Sequence, residues 1–104
     1  MTESTCPPTD RPPVLVRESV WWFAQQMELK LLENEHKGHW ARDSLLGLLQ
    51  RLHEESCELL AAIRHENIEN VIREAADVAN FAMMIADNAR QINQDGTANE
   101  LSST

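Results

Sequence analysis

Two pairs of carboxylates, set symmetrically about one turn, constrain this 104-residue chain more than any other feature of it. Glu55 and Glu58 stand three residues apart, as do Glu74 and Asp77. On helices, each pair therefore occupies one face. Fifteen residues separate Glu58 from Glu74, and the midpoint between them is Glu66, inside the turn-like segment Arg64-His65-Glu66-Asn67. A reversal there leaves each pair about ten residues, or about 15 Å, from the turn along its own helix. Both pairs then stand at one level of an antiparallel helix hairpin. Four negative charges between two helices repel one another and lose hydration unless a cation joins them. Hard oxygen ligands of this kind favour Mg²⁺ or Mn²⁺.

The rest of the chain agrees with a helical hairpin. Pro7, Pro8, Pro12 and Pro13 crowd the first thirteen residues, which read as a disordered arm, and no proline follows. Val20, Phe23, Met27 and Leu31 recur at helical steps and predict a first helix from about Val16 to His36. Gly38 suits its C-terminal cap. Asp43 or Ser44 suits the N-cap of a second helix reaching about His65, whose stripe includes Leu45, Leu48, Leu49, Leu52 and Leu59. Asn67 suits the cap of a third, from about Ile68 to Asn93, with Val71, Ala75, Val78, Phe81, Ala82 and Ile85 on its stripe. Residues 94–104 read as a mobile tail, leaving one domain over 14–93. The fold class is all-α, with three main helices per protomer. Ala79, Met83, Met84 and Ala86 widen the apolar surface of the third helix beyond what a monomer covers. A homodimer or homotetramer built on a four-helix-bundle core would cover it.

Charge narrows the partners. Seventeen acids against nine bases give a net charge of −8, which argues against a protein held on nucleic acid by phosphate contacts. No apolar run approaches a membrane span, and no basic-then-apolar leader opens the chain. Cys6 and Cys57 suggest no disulfide framework, and a reduced cytoplasmic setting is expected.

Each candidate site has a bland reading. One acid pair among 17 acids is commonplace on a solvated face, but two pairs symmetric about a turn are not. Asp77 moreover stands against a nearly continuous apolar stretch from Ala75 to Ala86, where a solubilising charge has little place. Lys37-Gly38-His39-Trp40 reads as a helix stop with a tryptophan folded onto the core. Its functional reading gives Lys37 to a phosphate and Trp40 to a base. Asn80, three residues beyond Asp77, suits a helix-to-helix hydrogen bond or a contact to substrate. His36 and His39 stand at metal-ligand spacing, but with no third or fourth ligand they read as exposed histidines. Cys57 has no evident base and reads as packing.

Glu54-Glu55-Ser56-Cys57-Glu58 followed by Glu74-Ala75-Ala76-Asp77 resembles the EExxE…ExxD pattern of the MazG-like all-α nucleoside triphosphate pyrophosphohydrolases. The resemblance covers roughly residues 20–90. Phe23 to Lys30 and Asn34 to Trp40 are similar to the short bacterial and phage members. It implies Mg²⁺ as cofactor, a dimeric four-helix core, and cleavage of a nucleoside triphosphate to monophosphate and pyrophosphate. Carried onto this chain, it makes Glu55, Glu58, Glu74 and Asp77 the metal ligands. Glu54 and Glu55 become the catalytic acids, with Glu54 orienting or deprotonating water. Short members with a similar His-Lys-Gly-x-Trp segment point to purine deoxynucleotides, dATP or dGTP. Lys37, Trp40 and Asn80 are the expected substrate contacts on the reading of the residues alone.

The chemistry is consistent with that implication. An acidic protein with few bases needs metal ions to receive a triphosphate. No serine or cysteine has a base partner for covalent catalysis, and no Walker-type phosphate loop exists among three glycines. Competing readings are a dUTP or dCTP hydrolase of the same architecture, a non-catalytic helical adaptor, and a di-iron bundle. The last needs two Glu-x-x-His motifs where this chain has one, Glu33 to His36.

Overall fold

The computed structural model describes residues 14–95. The arm expected over 1–13 lies outside these, as do residues 96–104 of the expected tail. Among the described residues the structure is all-helical, with three helices and no strand. Helix α1 runs Glu18–Glu33, α2 Leu45–Arg64 and α3 Ile68–Asp95.

Local chemistry fixes each boundary. Helix α1 stops three residues before the expected His36. There the Asn34 side chain donates to the Lys30 carbonyl at 3.1 Å, and the Asn34 backbone N–H is shared between the Lys30 and Leu31 carbonyls. The chain tightens into a 3₁₀ turn over Glu35–Lys37 and leaves it at Gly38, whose φ of 96° favours glycine. Ser44 rather than Asp43 caps α2, its Oγ accepting from the Gly47 N–H at 3.0 Å. Asn67 caps α3 by accepting from the Asn70 N–H at 3.1 Å.

Between them Glu66, the midpoint of the two acid pairs, carries the reversal with a φ of 55°. A Cβ is disfavoured in that conformation. Glu66→Gly is expected to stabilise the fold by about 0.5 kcal/mol, the relieved backbone strain less glycine's extra unfolded-chain entropy. Urea unfolding reads this directly, and a loss of stability would mean that the Glu66 side chain contributes more than its backbone costs.

Helix α3 lies against both other helices. Across the α1–α3 seam runs an antiparallel ladder of polar contacts. Met27 O accepts from Asn80 Nδ2 at 3.0 Å, Lys30 Nζ lies 3.4 Å from Asp77 Oδ2, and Glu33 takes both Arg73 amino groups at 2.8 and 3.0 Å. Rungs advance by three residues on α1 and retreat by three or four on α3, the spacing of one helix face.

Among the described residues the buried apolar core is small: Leu48, Ala62 and Ala76. The apolar surplus expected on α3 lies instead on its two neighbours. Trp21, Trp22, Leu29 and Leu32 are exposed and fall within about 100° of one another on α1. Leu46, Leu49, Leu60 and Ile63 form a second exposed stripe on α2. Among the large apolar residues of α3 only Ile68 is comparably exposed. Sandwiching α3 between its neighbours is what covers Met83 and Met84 in part. No helix among the described residues is long and apolar enough to cross a membrane.

Candidate metal centre and pocket

The hairpin brings three of the four predicted ligands together. Glu55 on α2 and Glu74 and Asp77 on α3 each offer a carboxylate oxygen, all within 4.8 Å of one another, and all three residues are half-buried. The fourth, Glu58, shares the Glu55 face at i+3 but is exposed and stands outside that trio. Its charge still acts on both Glu55 and Glu74.

Electrostatics register the crowding. Partial burial first, then the charges of Asp77, Glu74 and Glu58, raise the Glu55 carboxyl above its usual 4.5. Partial burial and then Asp77 and Glu58 raise Glu74 in the same way. Donors this hard, this close and this averse to one another's charge fit a divalent cation of the Mg²⁺ or Mn²⁺ type.

These shifts set the sign of a pH effect in metal-free protein. A carboxyl raised in the folded state contributes stability below its unfolded value and loses that contribution as pH rises through the folded one. Glu33 is the opposite case. The bidentate Arg73 bond, with Lys30 adding to it, holds Glu33 down to about 2, so its contribution is complete above the ordinary 4.5 and lost as pH falls toward 2. Glu33 is 44 % exposed, and solvent screens it. Without metal, the melting temperature should rise on acidification from neutrality to about pH 5 and fall again in stronger acid. A steady fall over the first interval would contradict repulsion within the cluster.

Glu54 does not join the cluster. Neighbouring helix positions differ by about 100°, so Glu54 cannot share the Glu55 face. Its side chain is 71 % exposed and lies 3.9 Å from Arg51 Nε.

A cavity of about 780 Å³ opens beside the acids, with Glu55 and Asp77 in its wall. Lys37, Trp40 and Asn80 line it too. Lys37 is exposed on the 3₁₀ turn. The Trp40 indole N–H donates to Asp87 Oδ2 at 3.0 Å, and His39 stacks on the indole at 4.0 Å and 18°. His39 Nδ1 also accepts from the Ala41 N–H at 3.0 Å. Asn80 makes the helix-to-helix bond to Met27, and its Oδ1 is buried without a partner.

The structure adds residues that periodicity and motif spacing do not single out. Asn88, buried within α3, donates to the Trp40 carbonyl at 2.9 Å and the Asp43 carbonyl at 3.0 Å, fastening the connection before α2. Asp87, lowered by the Trp40 bond and then by Arg90, stays charged to hold the indole. The Arg51 guanidinium lies 5.0 Å over the Phe81 ring on the cavity wall, a cation–π contact. Lys30 reaches the cluster itself at Asp77. One signal could have found it. Phe23, Met27, Lys30 and Leu31 share one face, and a lysine on an apolar stripe needs a partner.

The family model described as phosphoribosyl-ATP pyrophosphohydrolase matches residues 22–102. No curated protein and no solved structure matches the chain.

Proposed function

Because the chain belongs to the phosphoribosyl-ATP pyrophosphohydrolase family, within the MazG-like all-α superfamily, we propose that it hydrolyses the α–β phosphoanhydride of a nucleoside triphosphate with Mg²⁺, releasing monophosphate and pyrophosphate. A pyrophosphohydrolase-type activity is the family's own. The observation that carries the finer reading is the convergence of Glu55, Glu74 and Asp77 from two helices at the wall of a cavity that also holds Trp40.

On this reading Glu55, Glu74 and Asp77 hold the metal, and Glu58 joins from the same α2 face when a cation offsets the repulsion. When bound, the cation supplies the positive charge that lowers the pKa of an attacking water and stabilises the departing pyrophosphate. Lys37 meets phosphate oxygens at the mouth. The Asp87 bond holds the Trp40 ring in one orientation, so a base can stack on it. Asn80 contributes by bracing α1 against α3 beside the substrate. Glu55, inside the cluster, is better placed than Glu54 to take the water's proton. Glu54 would have to act on water from the exposed side.

The substrate favoured is a purine nucleotide, dATP or dGTP. A broad stacking ring suits a purine, and the family's description itself names an ATP derivative. Self-association over the exposed stripes of α1 and α2 completes the reading, with a dimer or tetramer as the working form.

A product assay with Mg²⁺ over the common NTPs and dNTPs and phosphoribosyl-ATP tests it. Monophosphate with pyrophosphate is expected, fastest with a purine dNTP. Diphosphate with inorganic phosphate would refute the α–β assignment, whereas a preference for dUTP or dCTP would refute only the base.

A further inference from the structure

Lys30 reaches the acidic cluster from the opposite helix. Its side chain is 12 % exposed, and its Nζ lies 3.4 Å from Asp77 Oδ2 and 3.3 Å from Glu33 Oε1. Glu33 already has two bonds from Arg73, so Asp77 is the partner with the greater need of that ammonium. A divalent cation held by Asp77 would repel a lysine standing there.

A second, independent observation shows where the ammonium would go. Asn80 is 3 % exposed, and its Oδ1 is the one buried side-chain nitrogen or oxygen without a hydrogen-bond partner among the described residues. The amide cannot be turned round to cure this. Its Nδ2 donates to the Met27 carbonyl at 3.0 Å, and a flip would set two oxygens against each other. Buried acceptors are rarely left without a donor. Asn80 stands one turn from Asp77 on α3, and Lys30 one turn from Met27 on α1, so Asn80 is the next rung of the same ladder. Adjacent rungs are about 5–6 Å apart, within the swing of a four-carbon lysine stem.

We propose that Lys30 is a two-position counter-charge of the metal centre: it pairs with Asp77 while the cluster holds no cation and donates to Asn80 Oδ1 when a divalent cation engages Asp77. Lys30 and Asn80 both line the cavity, so the positive charge stays beside the substrate through the exchange. Lys30 is on this account a positioning residue. The proposal rests on the reading of Glu55, Glu74 and Asp77 as metal ligands.

The test measures Mn²⁺ binding to the metal-free full-length chain without nucleotide, by paramagnetic resonance of free Mn²⁺. Lys30→Met should bind Mn²⁺ about tenfold more tightly, as expected when a unit charge next to a cation is removed. It should also melt at a lower temperature when metal-free. Asn80→Leu should weaken Mn²⁺ binding several-fold in the otherwise native chain and leave it unchanged in the Lys30→Met background. Equal effects of Asn80→Leu in the two backgrounds would overturn the exchange, as would Mn²⁺ affinity unchanged or weakened in Lys30→Met.

Should Asn80→Leu fail to fold, the native protein still decides. Lys30 and Lys37 are the only lysines, so ¹⁵N signals of their ammonium groups are assigned with Lys37→Arg. On Mg²⁺ addition the Lys30 signal should shift while its protons remain protected from exchange. An unmoved signal, or one that gains the rapid exchange of a free lysine, would overturn the proposal. Absence of Mn²⁺ binding by the native chain would instead defeat the metal reading beneath it.

Discussion

Replacing Asp77 with asparagine is expected to lower kcat/KM for pyrophosphate release by about 10²–10³-fold, the loss typical of removing one group from a preorganised electrostatic site. The side chain keeps its volume, so the helix content read by circular dichroism should not change. Stability responds to two opposing effects. Asp77 contributes to the raised pKa of both Glu55 and Glu74, and losing its charge relieves that repulsion. It also pairs with Lys30, whose ammonium is left with Glu33 alone. The metal-free melting temperature should therefore move little while turnover collapses. Turnover within twofold of native would remove Asp77 from the ligand set; a collapse of both would mean that the variant has lost its fold rather than its metal.

Leu29→Glu is expected to break the proposed self-association and leave a monomer at micromolar concentration. Leu29 is 54 % exposed, in the exposed apolar stripe of α1 with Trp21, Trp22 and Leu32. Among the described residues only three apolar side chains are buried, a small core for helices of 16, 20 and 28 residues. Covering two apolar stripes against a second copy would supply what the single chain lacks. A carboxylate at the centre of such a contact would be desolvated without a partner, at a cost of several kcal/mol. Light scattering on native and variant protein reads the change. A well-folded native monomer would contradict self-association outright.

The hairpin and its acids were legible because their determinants are local. Ser44 and Asn67 are N-cap residues at the predicted starts of α2 and α3, and Glu66 stands at the turn. The spacing and its symmetry about the turn bring Glu55, Glu74 and Asp77 together, while Glu58, at the same spacing, stays exposed outside the trio. Lys30, Arg73 and Asn88 were not legible in that way, because their partners lie 40 or more residues away on other helices. Helical periodicity states which face a side chain occupies but not which neighbour will oppose it. The same limit explains the misplaced apolar surplus. α3 has the run of alanines and methionines, yet it becomes the middle layer, and the uncovered surface passes to α1 and α2. For Glu54, a pair of adjacent acids reads as one unit in sequence, but a helix points them in different directions.

One helix holds both ends of the cavity. Asp77 belongs to the acidic end, and ten residues later Asp87 grips the Trp40 indole while Asn88 fastens the backbone beside it. At the rise of an α-helix those ends are about 15 Å apart. That span is a property of α3 alone and does not depend on how α1 or α2 settles against it. The cavity thus has a built-in gauge. A molecule reaching from the acids to the indole is measured against a fixed length. Side-chain changes in the wall would alter how tightly it is held, whereas adding or deleting a residue between Asp77 and Asp87 would change what length fits and turn one end about 100° from the other.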